Sequence, residues 1–80
     1  MTECYDRDEN DISDRIKPGA NLNNADLRSA SLDFADLSDA NLNSADLHSA
    51  DLSDANLSDA NLYGANLGFA YLTDANLIDA

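Results

Sequence analysis

Alanine recurs at every fifth position from Ala20 to Ala80, 13 times without exception, and leucine recurs at every fifth position from Leu22 to Leu77, 12 times. The repeated unit is Ala-x-Leu-x-x, in which x is mostly Asn, Asp or Ser. Repetition at a fixed short period is the signature of a solenoid, whose units bury a core only by stacking on one another. Any fold for residues 20–80 must therefore bring all of these leucines into one interior.

A period of five fits neither standard element. On an α-helix five residues advance about 500°, or about 140° beyond a full turn, so the leucines would spiral around the helix. On one straight strand five residues reverse the direction of the side chain, so successive leucines would face opposite sides. A chain that bends once per repeat solves both problems. Ala and Leu, two residues apart, point the same way from a short extended segment, and Asn, Asp, Ser or Gly then suit the corner.

Corners of about 90° would close a square after four repeats, so a coil would take 20 residues and residues 20 apart would stack at about 4.8 Å. Residues 20–79 would then form about three coils, roughly 14 Å tall. The predicted core consists of the twelve repeat leucines: Leu22, Leu27, Leu32, Leu37, Leu42, Leu47, Leu52, Leu57, Leu62, Leu67, Leu72 and Leu77.

In this register residues 20–80 resemble the pentapeptide-repeat family over 61 of the 80 residues. The resemblance implies an all-β fold, a right-handed quadrilateral β-helix, with the central Leu and the preceding Ala of each unit pointing inward. The handedness comes from the resemblance and not from the spacing. Ser31 and Tyr71 depart from the usual Asn or Asp before the Leu.

Residues 1–19 do not carry the repeat, and we interpret them as an N-terminal cap over the first coil, with residues 1–8 mobile. Ile12 and Ile16 are spaced for one or two helical turns, which Pro18 and Gly19 would end. At the other end of the solenoid no cap is predicted for the last coil. Either the chain is part of a longer protein, or a copy of the chain covers this end in a tail-to-tail homodimer. We favour the homodimer, and the resemblance points the same way.

Charge and composition exclude several classes of protein. The net charge is −12, from 16 acidic and 4 basic residues, and such a surface repels nucleic acid and anionic membranes. It would also suit the cytoplasm of a halophile. Cys4 is the only cysteine, so the chain can form neither an internal disulfide nor a thiolate metal cluster. With no apolar run of 18 residues and no signal-peptide pattern, we expect a cytoplasmic protein.

The 20-residue coil sorts the outward residues into four faces. One face is uncharged, and the next carries Asp26, Asp46 and Arg28. The remaining two faces are adjacent and hold eight of the ten repeat-region aspartates, which form the candidate interaction surface: Asp33, Asp36, Asp39, Asp51, Asp54, Asp59, Asp74 and Asp79. We expect stacked Asn side chains to hydrogen-bond along the column, as they do in cross-β stacks.

No residues are spaced for catalysis, a cofactor or a metal. His48 is the only histidine, lies outward by register and is expected to be an exposed bystander. Asp6, Asp8 and Asn10 begin like an EF-hand loop, but Asp11 and Lys17 replace the required Gly and Glu, so we predict no calcium site. We therefore predict that the protein is not an enzyme.

Two functions are compatible with these features. The first is a non-catalytic structural or protein-interaction module that presents its acidic repeat surface to an unknown protein partner. The alternative is a DNA-mimic inhibitor of a DNA-binding enzyme such as a type II topoisomerase. The repeats carry about one net charge per 1.6 Å, against about 1.7 Å in duplex DNA. The resemblance adds that the family includes acidic quinolone-resistance proteins that mimic DNA and bind type II topoisomerases. A fragment without separate activity is a third reading.

Overall fold

The computed structural model describes residues 3–80, and residues 1 and 2 lie outside the described part. Within it the one helix is a 3-10 turn at Ser13–Arg15. Parallel single-residue bridges join positions 20 apart along four columns: Asn21–Asn41–Asn61, Asp26–Asp46–Asn66, Ser31–Asp51–Tyr71 and Asp36–Asn56–Asn76. Four repeats therefore complete one coil, and residues 20–80 form a β-helix-type solenoid. We number the coils 1 (residues 20–39), 2 (residues 40–59) and 3 (residues 60–79).

Backbone hydrogen bonds join each coil to the next. The Leu32 N–H donates to the carbonyl oxygen of Asp51 at 2.8 Å, and the Asp51 N–H donates to the carbonyl oxygen of Ala30 at 2.9 Å. The corner residues add a further bond, for example from the Asp54 N–H to the Thr73 carbonyl at 2.8 Å. Each repeat thus presents two donors and one acceptor to the coil that follows it, which satisfies backbone groups that a lone coil would leave open.

The corner of each repeat is a β-turn that begins at the Leu. In the repeat of Leu52, the Ala55 N–H donates to the Leu52 carbonyl at 3.0 Å, and Asp54 at the third turn position has a φ of 60°. A positive φ at that position alone is the pattern of a type II turn, which Gly and Asn accept most easily. Asn, Asp, Ser, Gly and Phe fill it here, so every repeat of residues 20–80 has a residue with left-handed backbone at its corner.

The polar residue before each Leu stabilises the same corner. The Asn56 Oδ1 accepts a 3.0 Å hydrogen bond from the Ser58 N–H, and an equivalent bond forms in ten of the twelve repeats. The exceptions are the repeats with Ser31 and Tyr71. The expected hydrogen-bonded Asn ladder is therefore wrong. The backbone N–H two residues after each Asn donates no hydrogen bond to the next coil. The Asn side-chain oxygen accepts from this N–H, so it does not bond to the Asn stacked above or below.

Burial of the leucines depends on the coil. The leucines of coils 1 and 2, from Leu22 to Leu57, are at most 2% exposed. In coil 3, Leu62, Leu67 and Leu72 are only partly buried, and Leu77 is 41% exposed. The physical reason is that no further layer packs below coil 3 in residues 3–80.

The solenoid begins one corner before the first alanine of the repeat. The Ala20 N–H donates to the Lys17 carbonyl at 3.1 Å, Gly19 has a φ of 72°, and its N–H donates to the Ser38 carbonyl at 2.8 Å. Pro18 and Gly19 thus occupy the second and third positions of a type II turn, their preferred places. They were expected to end a helix of one or two turns, but the helical turn has only three residues and ends before Ile16.

Residues 3–12 form a hairpin that covers the upper edge of coil 1. Tyr5 and Ser31 exchange two backbone hydrogen bonds of 3.2 and 2.7 Å, and Tyr5 also bridges Asp11. Cys4 and Ile12 are buried in the core below this hairpin. The mobility predicted for residues 1–8 stays a prediction, and residues 1 and 2 lie outside the described part. Among residues 3–8, Tyr5 pairs with Ser31 of coil 1, which closes part of an otherwise open edge. Burial, with the nearby Asp33 and Asp11 carboxylates, raises the pKa of the Cys4 thiol.

Candidate interaction surface

The eight predicted surface aspartates are all exposed or half-buried, and none belongs to the core. The bridges Ser31–Asp51–Tyr71 and Asp36–Asn56–Asn76 align the repeats of these two faces vertically. The side chains therefore project from two neighbouring sides of one rigid column. They fall into two groups that differ in what their carboxylates contact.

Three of the eight carboxylates accept hydrogen bonds from residues of their own repeat. Asp36 and Asp51 accept hydrogen bonds from the turn N–H groups of Ser38 and Ser53 at 3.1 and 3.0 Å. Asp33 accepts a 3.1 Å hydrogen bond from the Ser31 hydroxyl. In each of these carboxylates one oxygen is engaged in the local structure of a corner, and the second oxygen remains available.

The other five occupy the left-handed corner position, with φ values of 58° to 60°. We call them the corner aspartates: Asp39, Asp54, Asp59, Asp74 and Asp79. Asp39, Asp59 and Asp79 stand in one vertical row, and Asp54 and Asp74 stand in another below Phe34. Within residues 3–80 their carboxylates make neither a hydrogen bond nor an ion pair, so the whole acceptor capacity of each faces solvent.

Ion pairing is confined to the neighbouring face, as far as residues 3–80 show. Arg28 binds Asp26 through Nη2 at 2.8 Å and approaches Asp46 through Nε at 3.8 Å, and Arg7 lies 3.7 Å from Asp26. Hydrogen bonds from the Arg28 side chain and backbone hold the pKa of Asp26 far below its usual range. The contribution of Arg7 was missed in the sequence because Arg7 reaches this face from the cap. The basic residues that pair thus neutralise one face and leave the corner aspartates unneutralised.

The repeated unit has a counterpart among known families. The family model for pentapeptide repeats matches residues 20–59 and 40–78, with eight copies of the unit. The matched residues make up the solenoid and most of the chain. The chain belongs to the pentapeptide-repeat family. A comparison with curated proteins finds no significant match.

Pentapeptide-repeat proteins are generally structural or interaction modules, and membership indicates a non-catalytic repeat protein. The family match does not show a role for the acidic surface. Any particular role of this pentapeptide-repeat chain must come from its outward residues.

His48 lies in a small cluster on the outside of the pentapeptide-repeat column. Its Nδ1 is 3.1 Å from the Ser49 hydroxyl, and its ring meets the Phe69 ring edge-on at a centroid distance of 5.5 Å. Gly68 lies below the ring, where a Cβ would come within 3.1 Å of the imidazole. His48 is thus half-buried and not exposed as expected, since Gly68 leaves room for the ring to lie against the coil.

Hydrogen bonds within the cap engage the carboxylate of Asp6. The Asp6 carboxylate accepts hydrogen bonds from the Asp8 N–H, the Asn10 N–H and the Asn10 amide, which lowers the pKa of Asp6. Across residues 3–80 no three His, Cys, Asp or Glu side chains are grouped so that they could hold a metal ion. In the same residues no helix is long and apolar enough to cross a membrane.

Proposed function

We propose that this chain is a non-catalytic interaction module that presents its corner aspartates to a basic surface of a protein partner. The observation that supports this most directly is the separation of charge. Arg7 and Arg28 neutralise Asp26 and Asp46, while the five corner carboxylates of the two adjacent faces have no partner within residues 3–80.

The backbone holds these carboxylates in a fixed array. The Asp39 N–H donates to the Ser58 carbonyl at 2.9 Å, and the Asp59 N–H donates to the Ile78 carbonyl at 2.9 Å. Successive coils therefore repeat the corner at about 4.8 Å. Such an array loses little conformational entropy on binding, and its potential steers a basic partner towards it. For the column itself we propose the right-handed, four-sided form of the family; the four-repeat coil supports the four sides, and the handedness rests on the family alone.

A DNA mimic is the second candidate, because the charge density of the repeats is close to that of duplex DNA. Its partner would be a DNA-binding enzyme such as a type II topoisomerase. The column is about 14 Å tall, which corresponds to about four base pairs at 3.4 Å per step. This short length favours the first candidate, since a topoisomerase groove would contact only a small part of such a mimic.

The test uses two variants of equal charge. The first is Asp39→Asn, Asp59→Asn and Asp79→Asn, which keeps a residue type that tolerates the left-handed corner, as Asn24 does with a φ of 62°. The matched control is Asp8→Asn, Glu9→Gln and Asp14→Asn, which removes three exposed charges from the cap. Each variant is immobilised beside the wild type and exposed to host lysate at about 50 and 500 mM salt.

We expect one or more basic proteins to be retained by the wild type and the cap variant, and to be lost in the corner variant and at high salt. Equal retention by all three chains would contradict the proposal. A topoisomerase supercoiling assay separates the two candidates. Inhibition by wild type and cap variant, relieved by added duplex DNA, supports the DNA mimic, and no inhibition at micromolar protein and low salt excludes it.

A further inference from the structure

Phe34 is an aromatic residue at a corner position that a polar residue or glycine fills in ten of the twelve repeats. It has a φ of 63°, and its side chain is 62% exposed. A bulky residue with positive φ is a backbone outlier, and a ring that is mostly exposed gains little free energy from burial. A strained residue that packing does not explain is a candidate for a binding role.

The second phenylalanine at a corner, Phe69, has a partner in the chain. Its ring meets the His48 ring edge-on at a centroid distance of 5.5 Å. Within residues 3–80 the Phe34 ring meets no other aromatic ring. The intramolecular contact that accounts for Phe69 is therefore missing at Phe34.

Phe34 stands on the edge where the two aspartate-rich faces meet. Asp33 precedes it on one face, and Asp36 lies two residues after it on the other. Asp54 and Asp74 occupy the same corner position in the coils below. The ion pairs formed within residues 3–80 involve none of these four aspartates. An exposed ring thus lies among carboxylates whose charge is not neutralised by the chain.

The Cβ atoms of Phe34 and Asp54 point the same way from the column. Both residues occupy the third position of the same type of turn, with φ values of 63° and 60°. The Phe34 N–H donates to the carbonyl of Ser53 at 2.9 Å, which stacks the two corners at about 4.8 Å. A cation on the face of the ring, within about 6 Å of its centroid, can therefore also reach the Asp54 carboxylate.

We infer that Phe34, with Asp33, Asp36 and Asp54, forms a docking site for an arginine side chain of the basic partner. We call these four residues the Phe34 site. A guanidinium is planar and weakly hydrated, so it can stack on an aromatic ring while its N–H groups bind a carboxylate. A lysine ammonium is compact and strongly hydrated, so it gains less from the ring. The inference rests on the proposed function, because it names the residue type by which the partner would bind the acidic surface.

Binding of two short basic peptides tests this preference. Fluorescence anisotropy gives the dissociation constants of labelled hexa-arginine and hexa-lysine at about 50 mM salt. Phe34→Asn removes the ring but keeps the charge and the corner, since Asn24 has a φ of 62° at the same position of its repeat. We expect this variant to weaken hexa-arginine binding about two- to fivefold, the effect of a cation–π contact at an exposed site, and to change hexa-lysine binding less than about twofold.

Two further variants serve as controls. Phe34→Tyr keeps an aromatic ring and should keep the wild-type affinity for hexa-arginine. Phe69→Asn makes the same change at a corner whose column carries Ser29 and Ser49 instead of carboxylates, so it should leave both dissociation constants unchanged. In urea denaturation the midpoint of Phe34→Asn should be no lower than that of the wild type, because Asn accepts left-handed backbone more easily.

The possible results separate this inference from the proposed function. If both peptides bind, weaken at about 500 mM salt and respond equally to Phe34→Asn, the surface binds basic partners without selecting arginine at the Phe34 site. That result overturns the inference alone. A lower urea midpoint for Phe34→Asn would show that the ring serves the fold, and it would overturn the inference as well. Binding of neither peptide to the wild type would contradict the proposed function and the inference together.

Discussion

Gly19 donates its backbone N–H to the carbonyl oxygen of Ser38 at 2.8 Å, which places the Pro18–Gly19 turn directly above the corresponding corner of coil 1. The cap and the solenoid therefore share the same backbone ladder. The cap extends the repeat by one corner before the chain leaves it for the hairpin that pairs with Ser31. Stability of the first coil should accordingly depend on the conformation of the cap.

Replacing Gly19 should show this dependence. Gly19 has a φ of 72°, and a Cβ there would meet nothing within 4 Å, so only backbone strain distinguishes the variants. We expect Gly19→Ala to lower the free energy of unfolding by about 1 kcal/mol, and Gly19→Asn to lower it less, because Asn tolerates left-handed backbone. Urea denaturation measures both values. Equal losses for Ala and Asn would contradict a left-handed corner at this position.

Leucines at equivalent positions of different coils should contribute differently to the free energy of unfolding. Leu52→Ala opens a cavity in the centre of the column, where Leu52 is fully buried, and should cost about 2 to 5 kcal/mol. Leu77→Ala truncates a side chain that is already 41% exposed and should cost less than about 1 kcal/mol. Urea denaturation at low micromolar protein measures the difference, and similar losses would show that coil 3 is packed as tightly as coil 2.

The polar residue before each Leu should stabilise the fold through its hydrogen bond to the turn. Asn56→Ala removes the acceptor of the 3.0 Å bond from the Ser58 N–H and should cost about 0.5 to 1.5 kcal/mol. Asn56→Asp keeps an acceptor in the same place, as Asp36 does in the coil above, and should retain most of the stability. Thermal unfolding compares the two. If Asp were as damaging as Ala, the bond to the turn would not be the reason for Asn at this position.

Asp26 should make the free energy of unfolding depend on pH. Because Arg28 holds the pKa of Asp26 below its ordinary value of 3.8, the folded state is stabilised by this carboxylate above about pH 4. That stabilisation is lost as the pH falls from about 4 towards the folded-state pKa. Asp26→Asn should therefore unfold at lower urea than the wild type at pH 7, and the gap should narrow steadily as the pH falls below about 4.

Asp59→Asn provides the control for this measurement, since the Asp59 carboxylate has no ion-pair partner within residues 3–80. It should not lower the free energy of unfolding at pH 7. A gap for Asp26→Asn that stays constant down to pH 2 would show that the Arg28 pair adds nothing to stability.

Two features of the outward residues follow local patterns in the sequence. Lys17 and Ala20 are spaced like Leu and Ala of a repeat, with Gly19 at the corner position, so the extra corner was visible in the register. The turn bond of Asn56 follows a local rule for Asn and Asp, whereas the Asn ladder required contacts between coils. The pairing of Tyr5 with Ser31 and the approach of Arg7 to Asp26 carry no repeated signal, so the sequence offered no way to place them.

The sequence by itself determined the 20-residue coil, the inward leucines and the grouping of aspartates on adjacent faces. A strict period of five fits neither a helix nor a straight strand, so the chain must bend once per repeat, and corners of about 90° then stack residues 20 apart. Tertiary structure alone decided which carboxylates remain free, how deeply each leucine is buried and how the cap closes the upper edge. Those properties depend on contacts between segments that do not repeat, and no local period encodes such contacts.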